Sequence, residues 1–305
     1  MRCMAIDVGG TAIKYGLVED GRLVMKDSLP TDKFNRSVFM TDIRGIYDKG
    51  RQLGAEGLAM SMPGILDARR GFMYTGGSLT FIHDEDMAQN ISRLCDGVKV
   101  TIENDAKAAA RAEMADGALA GIRDAVIILV GTGVGGAVIN DGRIMRGSHF
   151  FAGELSFMSD DAEGNRLAPH FIGITCSVTG LIHEYALAAH RAVTKVDGRT
   201  VFDQLAKGDV KAEVAIRRLA RRIAALILNL QCVVDPEVVA IGGAVSIQPR
   251  LIDLIGQELA AVRASNIVVS HAMPTVRVVA CRHHNDANLL GAYRWYQEHD
   301  EEANG

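Results

Sequence analysis

The chain has 305 residues, of which 48% are hydrophobic and 23% are charged, and its formal net charge is −4 at pH 7. This balance is typical of a globular protein of about two domains, and it provides no basic field for nucleic acid or a membrane surface. The five cysteines are widely spaced without a CxxC pair, no apolar run is long enough to span a bilayer, and Asp7 interrupts the first apolar run, so we predict a cytoplasmic protein with reduced thiols.

The first predicted element is a buried strand that ends in a carboxylate and runs into a glycine turn. Residues 4–14 read MAIDVGGTAIK, so Asp7 closes an apolar run and Gly9, Gly10 and Thr11 precede a returning strand. Glycines let the backbone approach an anion closely, and the N–H groups and hydroxyl of this turn can cradle phosphate oxygens. Asp7 would then hold Mg²⁺, directly or through water. A plain hairpin stabilised by its Asp and Thr explains the same local pattern, and this stretch alone does not decide between them.

A helix, a strand and a glycine-rich segment come next. The apolar spacing predicts a helix over 37–53 and a strand over 56–60. Residues 69–86 contain several glycines and a charged run, and we predict a loop there. A loop of this length in a compact domain is often functional.

The next strand, predicted over 98–102, leads through Glu103 into Asn104 and Asp105 at the start of an alanine-rich helix over 106–120. A helix N-terminus carries exposed N–H groups and partial positive charge, which favours an ionised carboxylate. Asp105 could therefore accept a proton. Either residue could instead be an N-cap and nothing more, which is the commoner role for Asn and Asp at this position.

An internal repeat changes the weight of these alternatives. Residues 125–144 repeat the layout of the opening stretch, so that Gly131-Thr132 aligns with Gly10-Thr11 and Asp141-Gly142 aligns with Asp20-Gly21 at one constant offset. Two copies of one strand–turn–strand unit predict two similar α/β domains, each with a phosphate-binding turn.

The rest of the chain is predicted to alternate helices and strands. The predicted helices cover 176–193, 211–233, 249–262 and 286–298, and the predicted strands cover 238–241 and 276–281. The charged face of the second of these helices is expected to be solvated, because an apolar stripe already accounts for the helix.

Taken together, the motifs resemble the ROK family of sugar kinases and sugar-responsive repressors. The resemblance rests on Asp7-x-Gly9-Gly10-Thr11-x-x-Lys14, Glu103-Asn104-Asp105, Gly131-Thr132-Gly133-x-Gly135-Gly136, Gly153-Glu154 and Ile241-Gly242-Gly243-Ala244. It implies the actin-like and hexokinase-like ATPase fold, an α/β fold of two ribonuclease-H-like domains with a cleft between them. We accordingly expect an N-terminal domain over 1–120, with the last helix, about 286–305, packing back on it, and a C-terminal domain over 121–285.

The resemblance also implies roles for individual residues. The residues implied around ATP are Gly9, Gly10, Thr11, Lys14, Gly131, Thr132 and Gly133 at the phosphates, and Gly242 and Gly243 near the adenosine. Mg²⁺ would be held by Asp7 through ATP and water, and Lys14 is assigned more cautiously, with a structural role open. The residues implied around the sugar are Gly77, Asn104, Asp105 and Glu154, with Asp105 as the base that faces the attacking hydroxyl.

Two departures from the family pattern are informative. Phe157 stands where family members usually carry a histidine, and no cysteine cluster follows it, so we predict no structural zinc. A second sugar-binding glutamate of the family is also missing, with Thr175 near its position. This reduced pattern resembles the zinc-free β-glucoside kinases. Phe157 could then offer an apolar surface to a second ring attached to the glucosyl unit.

The predicted activity is ATP-dependent phosphorylation of the 6-hydroxyl of a glucosyl unit, in a β-glucoside such as cellobiose. A glucokinase or an N-acetylhexosamine kinase of the same family is the alternative, and a non-catalytic sugar-sensing protein is a further one. The family's repressors carry a helix-turn-helix domain before the first phosphate motif, which we do not expect here because Asp7 already lies in the first strand. The resemblance implies a homodimer.

Overall fold

The computed structural model describes residues 1–159, 171–243, 245 and 247–304. Strands and helices alternate through its first part: β1 (Arg2–Val8), β2 (Ala12–Glu19), β3 (Arg22–Pro30), α1 (Arg36–Gln52), β4 (Gly57–Met62), β5 (Leu66–Asp67), β6 (Phe72–Thr75), β7 (His83–Asp86), α2 (Met87–Leu94), β8 (Lys99–Asn104) and α3 (Asp105–Asp116). The second part is richer in helix: β9 (Ala125–Val130), β10 (Val134–Asn140), β11 (Arg143–Ile144), α4 (Ile172–Thr175), α5 (Val178–Ala188), α6 (Gly198–Ala206), α7 (Val210–Val234), β12 (Val238–Gly242), α8 (Pro249–Ser265), α9 (Ile267–Ala272), β13 (Arg277–Ala280) and α10 (Ala287–Asn304).

The chain divides into two compact units. The N-terminal unit consists of Met1–Gly117, Arg146–Phe151 and the C-terminal segment from Asn285, and the C-terminal unit consists of Ala118–Met145 and Ala152–His284. The short segment 146–151, which we predicted in the C-terminal domain, therefore lies in the N-terminal unit. We call it the crossing segment below.

The N-terminal unit is built on a five-stranded sheet in the order β3-β2-β1-β4-β8, in which the hairpin strands are antiparallel and β1, β4 and β8 are parallel. Alternate residues of β1 point to opposite faces of the sheet, and both faces are buried. Met4 and Ile6 pack with Phe39 of α1 on one face, whereas Ala5 packs with Tyr293 of α10 on the other. Helices α10 and α3 approach so closely that a Cβ on Gly291 would lie 1.7 Å from the Ala108 carbonyl oxygen. Strand β1 therefore ends inside a rigid three-layer unit.

Residues 69–86 are not the loop that we predicted. They contribute β6 and β7, which form a small antiparallel sheet with β5 in the order β5-β6-β7. Strand β7 reads His-Asp-Glu-Asp, so it lacks the apolar alternation by which strands are recognised. A two-bond ion pair instead stabilises it, because Arg36 of α1 donates to both carboxylate oxygens of Glu85 at 2.5 and 2.6 Å.

The C-terminal unit has a sheet of the same design, in the order β11-β10-β9-β12-β13. The hairpin of β9 and β10 takes the place that β1 and β2 have in the first sheet, as the internal repeat predicts, and β12 and β13 continue it in parallel. Its apolar core is formed with α5, α6, α7 and α8. In the part of the chain that the structure describes, no helix has the length and apolar character needed to cross a membrane.

Candidate functional site

Asp7 lies at the end of β1 with only 4% of its surface exposed, and three side chains hold its carboxylate. Ser61 Oγ and Asn288 Nδ2 donate hydrogen bonds to Oδ1 at 3.2 and 2.9 Å. Lys14 Nζ, directly opposite on β2, lies 3.5 Å from Oδ2. Lys14 thus contacts Asp7, and sequence reasoning missed both other partners.

The glycine turn after β1 is held by Thr31, the residue that follows β3. The Gly9 N–H donates to the Ala12 carbonyl at 3.0 Å, and the Thr31 hydroxyl donates to the Gly9 carbonyl at 2.7 Å. The Thr31 N–H donates to the Thr11 carbonyl at 3.1 Å. The carbonyl oxygens of Gly9, Thr11 and Ala12 therefore accept hydrogen bonds from within the protein, while the Thr11 side chain stays exposed to solvent.

Two polar side chains that the sequence did not single out lie beside this turn. A Cβ on Gly10 would be 3.5 Å from Ser78 Oγ and 3.9 Å from Lys33 Nζ. Ser78 follows Gly77, so the turn and the loop that carries a predicted sugar contact adjoin. An ammonium group and a hydroxyl beside backbone N–H groups are suited to the oxygens of a phosphate.

Asn104 is the N-cap of α3. Its Oδ1 accepts hydrogen bonds from the N–H groups of Ala106 and Lys107 at 3.1 and 3.2 Å, and its Nδ2 donates to the Gly64 carbonyl at 3.1 Å. Asp105 stands in the first turn, where the Ala106 N–H also donates to its Oδ1 at 2.8 Å. The capping role weighed from the sequence is thus present, and it fixes the backbone that carries Asp105.

The loop around Gly77 meets Asn104 through Gly64. Gly77 has a φ of +57°, and a Cβ on it would lie 3.2 Å from the Gly64 nitrogen. Because Asn104 also donates to the Gly64 carbonyl, Gly64 contacts both Gly77 and Asn104. Within the N-terminal unit, the structure therefore links the predicted sugar contacts Gly77 and Asn104 to each other.

A buried ionic cluster lies behind Asn104 and was missed from the sequence. Glu103 is 0% exposed, and Arg146 donates to its two carboxylate oxygens at 3.1 and 2.7 Å, while Arg111 Nε donates at 3.0 Å. Burial alone would raise the pKa of the Glu103 carboxyl, but the hydrogen bonds and charges of Arg146 and Arg111 outweigh it, so this pKa lies below its ordinary value of 4.5. Glu103 is therefore a buried carboxylate that stays charged.

In the C-terminal unit, the turn between β9 and β10 is joined to the N-terminus of α5. The Gly131 N–H donates to the Gly133 carbonyl at 2.9 Å, which closes the turn. The Val178 N–H donates to the Gly131 carbonyl at 2.9 Å, and the Thr179 hydroxyl donates to the Thr132 carbonyl at 2.7 Å. An exposed turn at the positive end of an eleven-residue helix suits a bound anion, and the contribution of α5 was not predicted from the sequence.

Gly242 and Gly243 follow at the end of the neighbouring strand β12. Gly243 has a φ of +82°, and a Cβ on it would lie only 2.4 Å from the Val130 carbonyl oxygen. Val130 immediately precedes Gly131, so the two predicted nucleotide-binding segments adjoin in this unit. Only glycine allows that close approach.

The Gly153-Glu154 pair lies against β10, where a Cβ on Gly153 would be 3.0 Å from the Gly136 carbonyl oxygen. Glu154 is the N-cap of a short 3-10 helix, Leu155–Phe157. Phe157 ends this helix with 55% of its surface exposed, and its ring makes an edge contact with Phe171 at 6.5 Å between centroids.

An isolated β-bridge joins Ser159 to Phe171 at the two ends of the segment where a zinc site was predicted to be absent. Residues 160–170 of that segment lie outside the described residues. Among the residues that are described, no cluster of three His, Cys, Asp or Glu side chains could hold a metal ion by itself.

Comparison with known proteins finds relatives along the whole chain. The model of the ROK family matches residues 3–299. A β-glucoside kinase of Klebsiella pneumoniae is 28% identical over 296 residues, which cover 96% of this chain and 95% of that protein. An N-acetylmannosamine kinase of Escherichia coli O9:H4 (strain HS) is 31% identical over 307 residues, which cover 96% of this chain and 97% of that protein.

The fold is also found among solved structures. The crystal structure of a ROK family protein from Streptococcus pneumoniae TIGR4 in complex with sucrose superposes with a TM-score of 0.84 at 26% identity, covering 99% of this chain and 100% of that chain. The predicted fold class, the α/β fold of actin-like and hexokinase-like ATPases, is thereby confirmed.

Proposed function

This chain belongs to the ROK family and is a carbohydrate kinase, and we propose that it transfers the γ-phosphoryl group of ATP to the 6-hydroxyl of a glucosyl unit in a β-glucoside such as cellobiose. The family resemblance read from the sequence motifs is confirmed. The observation that carries the choice of a glycoside is the exposed ring of Phe157, three residues after Glu154 in the chain, which makes an edge contact with the half-buried Phe171.

Asp105 is the proposed general base. Phosphoryl transfer mainly requires that the reactants are positioned and that phosphate charge is neutralised. A carboxylate within hydrogen-bond distance of the attacking hydroxyl then assists by accepting its proton. The N-cap bonds of Asn104 fix the first turn of α3, so Asp105 is presented from a rigid helix end. Asn104, Gly77 and Glu154 are proposed to orient the sugar hydroxyls.

The phosphates of ATP are proposed to bind the two glycine turns. Gly9 and Gly131 close the turns through their own N–H groups, and the N–H groups of Gly10 and Thr11 and of Thr132 and Gly133 would donate to phosphate oxygens, with Lys33 beside the first turn and the N-terminus of α5 beside the second. Gly242 and Gly243 are proposed to border the adenosine, because Gly243 packs directly against the Val130 backbone, which leads into the second glycine turn.

Asp7 suits Mg²⁺ that is bound through water. A carboxylate has about four lone-pair positions, and the described donors to Asp7 occupy three of them, two on Oδ1 and one on Oδ2. One position on Oδ2 remains to accept from a water, which fits a hard cation that keeps several waters beside nucleotide phosphates. Bound there, Mg²⁺ would neutralise phosphate charge. Lys14, paired with Asp7, has the structural role of holding that carboxylate.

Phe157 and Phe171 are proposed to carry the ring attached to the glucosyl unit. The exposed ring of Phe157 offers apolar contact to the C–H face of a sugar ring, with Phe171 packed against its edge, and neither ring provides a partner for a free anomeric hydroxyl. The known β-glucoside kinase of Klebsiella pneumoniae supports this reading. The N-acetylmannosamine kinase at 31% identity favours an N-acetylhexosamine as the second candidate, whose acetyl methyl group could meet the same rings.

The proposal is tested by release of ADP from ATP and Mg²⁺ over a panel of glucose, mannose, N-acetylmannosamine, N-acetylglucosamine, cellobiose and gentiobiose. We expect the β-linked disaccharides to give the highest kcat/KM. A higher value for an N-acetylhexosamine would support the second candidate, and a far higher value for free glucose would exclude the glycoside.

The role of Asp105 is tested in the same assay by Asp105→Asn, which keeps an oxygen for the Ala106 N–H. We expect turnover to fall by about 10²–10⁴-fold while sugar binding, measured by calorimetry, is retained. Asp116→Asn is the matched control, because Asp116 is an exposed carboxylate at the other end of α3. Near-normal turnover in Asp105→Asn would refute the assignment.

The resemblance also implies that the kinase is a homodimer, and we propose that state. Sedimentation velocity on the purified chain tests it. A single species at twice the monomer mass is expected, and a monomer at micromolar concentration would contradict it.

A further inference from the structure

Glu103 is the one fully buried acidic residue of strand β8, and it directly precedes the proposed catalytic dipeptide, Asn104-Asp105. Its Oε1 accepts a hydrogen bond from the backbone N–H of Asn104 at 2.9 Å. The carboxylate therefore bonds the backbone at the point where the strand ends and α3 begins. The Glu103 carboxylate is thereby tied to the Asn104 backbone.

Two arginines hold the carboxylate from different parts of the chain. Arg111 lies on α3, two turns after Asp105, and Arg146 is the first residue of the crossing segment. Both guanidinium groups lie over the ring of Trp295 on α10, at 4.3 and 5.1 Å from its centroid. The Glu103 carboxylate and its two guanidinium groups thus form one ionic cluster that packs on the Trp295 ring, which leaves the cluster few alternative geometries.

The far end of the crossing segment is anchored as well. Phe150 has a φ of +58°, which is uncommon for a residue with a side chain, and its ring stacks on Tyr74 at 5.6 Å with an angle of 22° between the planes. The segment is therefore attached to the N-terminal unit at both ends, by Arg146 and by Phe150. Glu154, a proposed sugar contact, comes three residues after the end of this segment in the sequence.

We propose that the Glu103–Arg146 ion pair positions the catalytic dipeptide, tying the crossing segment to the backbone of Asn104 so that Asp105 is held in its reactive orientation. This inference rests on the proposed function, in which Asp105 is the base. Glu103 and Arg146 are positioning residues, since they act through Asn104 and do not touch the reacting atoms. A buried ion pair is not needed for stability alone, because apolar residues of similar volume are often equally stable there.

The test separates positioning from stability by comparing Arg146→Met with Arg36→Met. Arg36 makes a two-bond ion pair with Glu85 in the same unit, but it lies on α1 and has no contact with the dipeptide among the described residues. We expect Arg146→Met to lower kcat about 10²-fold, as a misplaced base does, with the sugar dissociation constant little changed. Arg146→Lys, which keeps the charge without the two-bond fork, should give an intermediate kcat. Arg36→Met should lower thermal stability without this loss of kcat.

A second measurement does not depend on activity. In amide hydrogen exchange on the unliganded protein, peptides covering residues 102–108 should exchange faster in Arg146→Met than in Arg36→Met, because Asn104 loses its anchored partner. Equal exchange in the two variants, or equal kcat, would overturn the inference. If Arg146→Met does not fold, Arg146→Lys is compared with Arg36→Lys in the same two ways. If the wild type phosphorylates no sugar, the proposed function fails, and the exchange comparison still decides whether the ion pair orders the start of α3.

Discussion

Phe157 allows a quantitative test of the glycoside assignment, through the substitution Phe157→Ala. Full burial of a phenylalanine side chain is worth about 1.5–3 kcal/mol. With 55% of Phe157 exposed, a bound second ring can cover at most that share, which amounts to about 0.8–1.6 kcal/mol. Because about 1.4 kcal/mol corresponds to a factor of ten, kcat/KM for cellobiose should fall measurably, by at most about four- to fourteenfold.

The assay is initial-rate ADP release with cellobiose and with glucose for each variant. Glucose has no second ring, so its kcat/KM should stay unchanged in Phe157→Ala, and the ratio of the two values is the diagnostic quantity. Leu187→Ala is the control, because Leu187 is a strongly exposed apolar residue at the end of α5. An equal loss on glucose and cellobiose, or no loss on either, would contradict the contact between Phe157 and the second ring.

Three further predictions concern the phosphate turn, a glycine contact and the buried carboxylate. Lys33→Met should raise KM for ATP about tenfold by removing a charged donor beside Gly10, and unchanged kinetics for ATP would exclude that contact. Gly243→Ala should lower the unfolding free energy by about 2 kcal/mol more than Gly142→Ala, since both have positive φ but only Gly243 faces a carbonyl at 2.4 Å; equal urea midpoints would contradict this. The pKa of the Glu103 carboxyl is lower in the folded protein than in the unfolded chain, so the wild type should be more stable than Glu103→Gln above about pH 4.5. This difference in unfolding free energy should shrink as the pH falls through the folded-state pKa. A difference that stays constant in urea titrations across this pH range would show that Glu103 is not charged in the folded protein.

The elements that could be predicted from the sequence are those with a local signal. The strand ending at Asp7, its glycine turn and the repeat at Gly131 are marked by apolar runs and glycines, and the two matching sheets follow from them. The start of α3 at Asn104 was likewise predictable, because an N-cap residue is a local feature. The roles of these residues in binding stay predictions.

What could not be predicted depends on contacts between distant parts of the chain. Asn288 reaches Asp7 across 281 positions, and nothing around Asn288 indicates which carboxylate it would meet. Arg146 reaches Glu103 only because the crossing segment enters the N-terminal unit for six residues. Lys33 lies beside Gly10 because β3 ends next to the glycine turn. Neither the sequence around Lys33 nor that around Gly10 indicates this contact.

The small sheet of β5, β6 and β7 was missed for a different reason. Its strands are short, and β7 is made of four polar residues, so neither length nor alternation indicates a strand. Its pairing is stabilised from outside, by the ion pair between Arg36 and Glu85. The same sheet leads into the loop of Gly77, so only part of the segment predicted as a loop is irregular.

Phosphorus and carbon NMR of the product formed from cellobiose, ATP and Mg²⁺ would identify directly which hydroxyl this kinase phosphorylates. We expect a disaccharide phosphorylated on carbon 6 of the glucosyl unit whose anomeric carbon carries the second ring. A phosphate on any other carbon, or no phosphorylated disaccharide under conditions in which an N-acetylhexosamine or free glucose is converted, would contradict it.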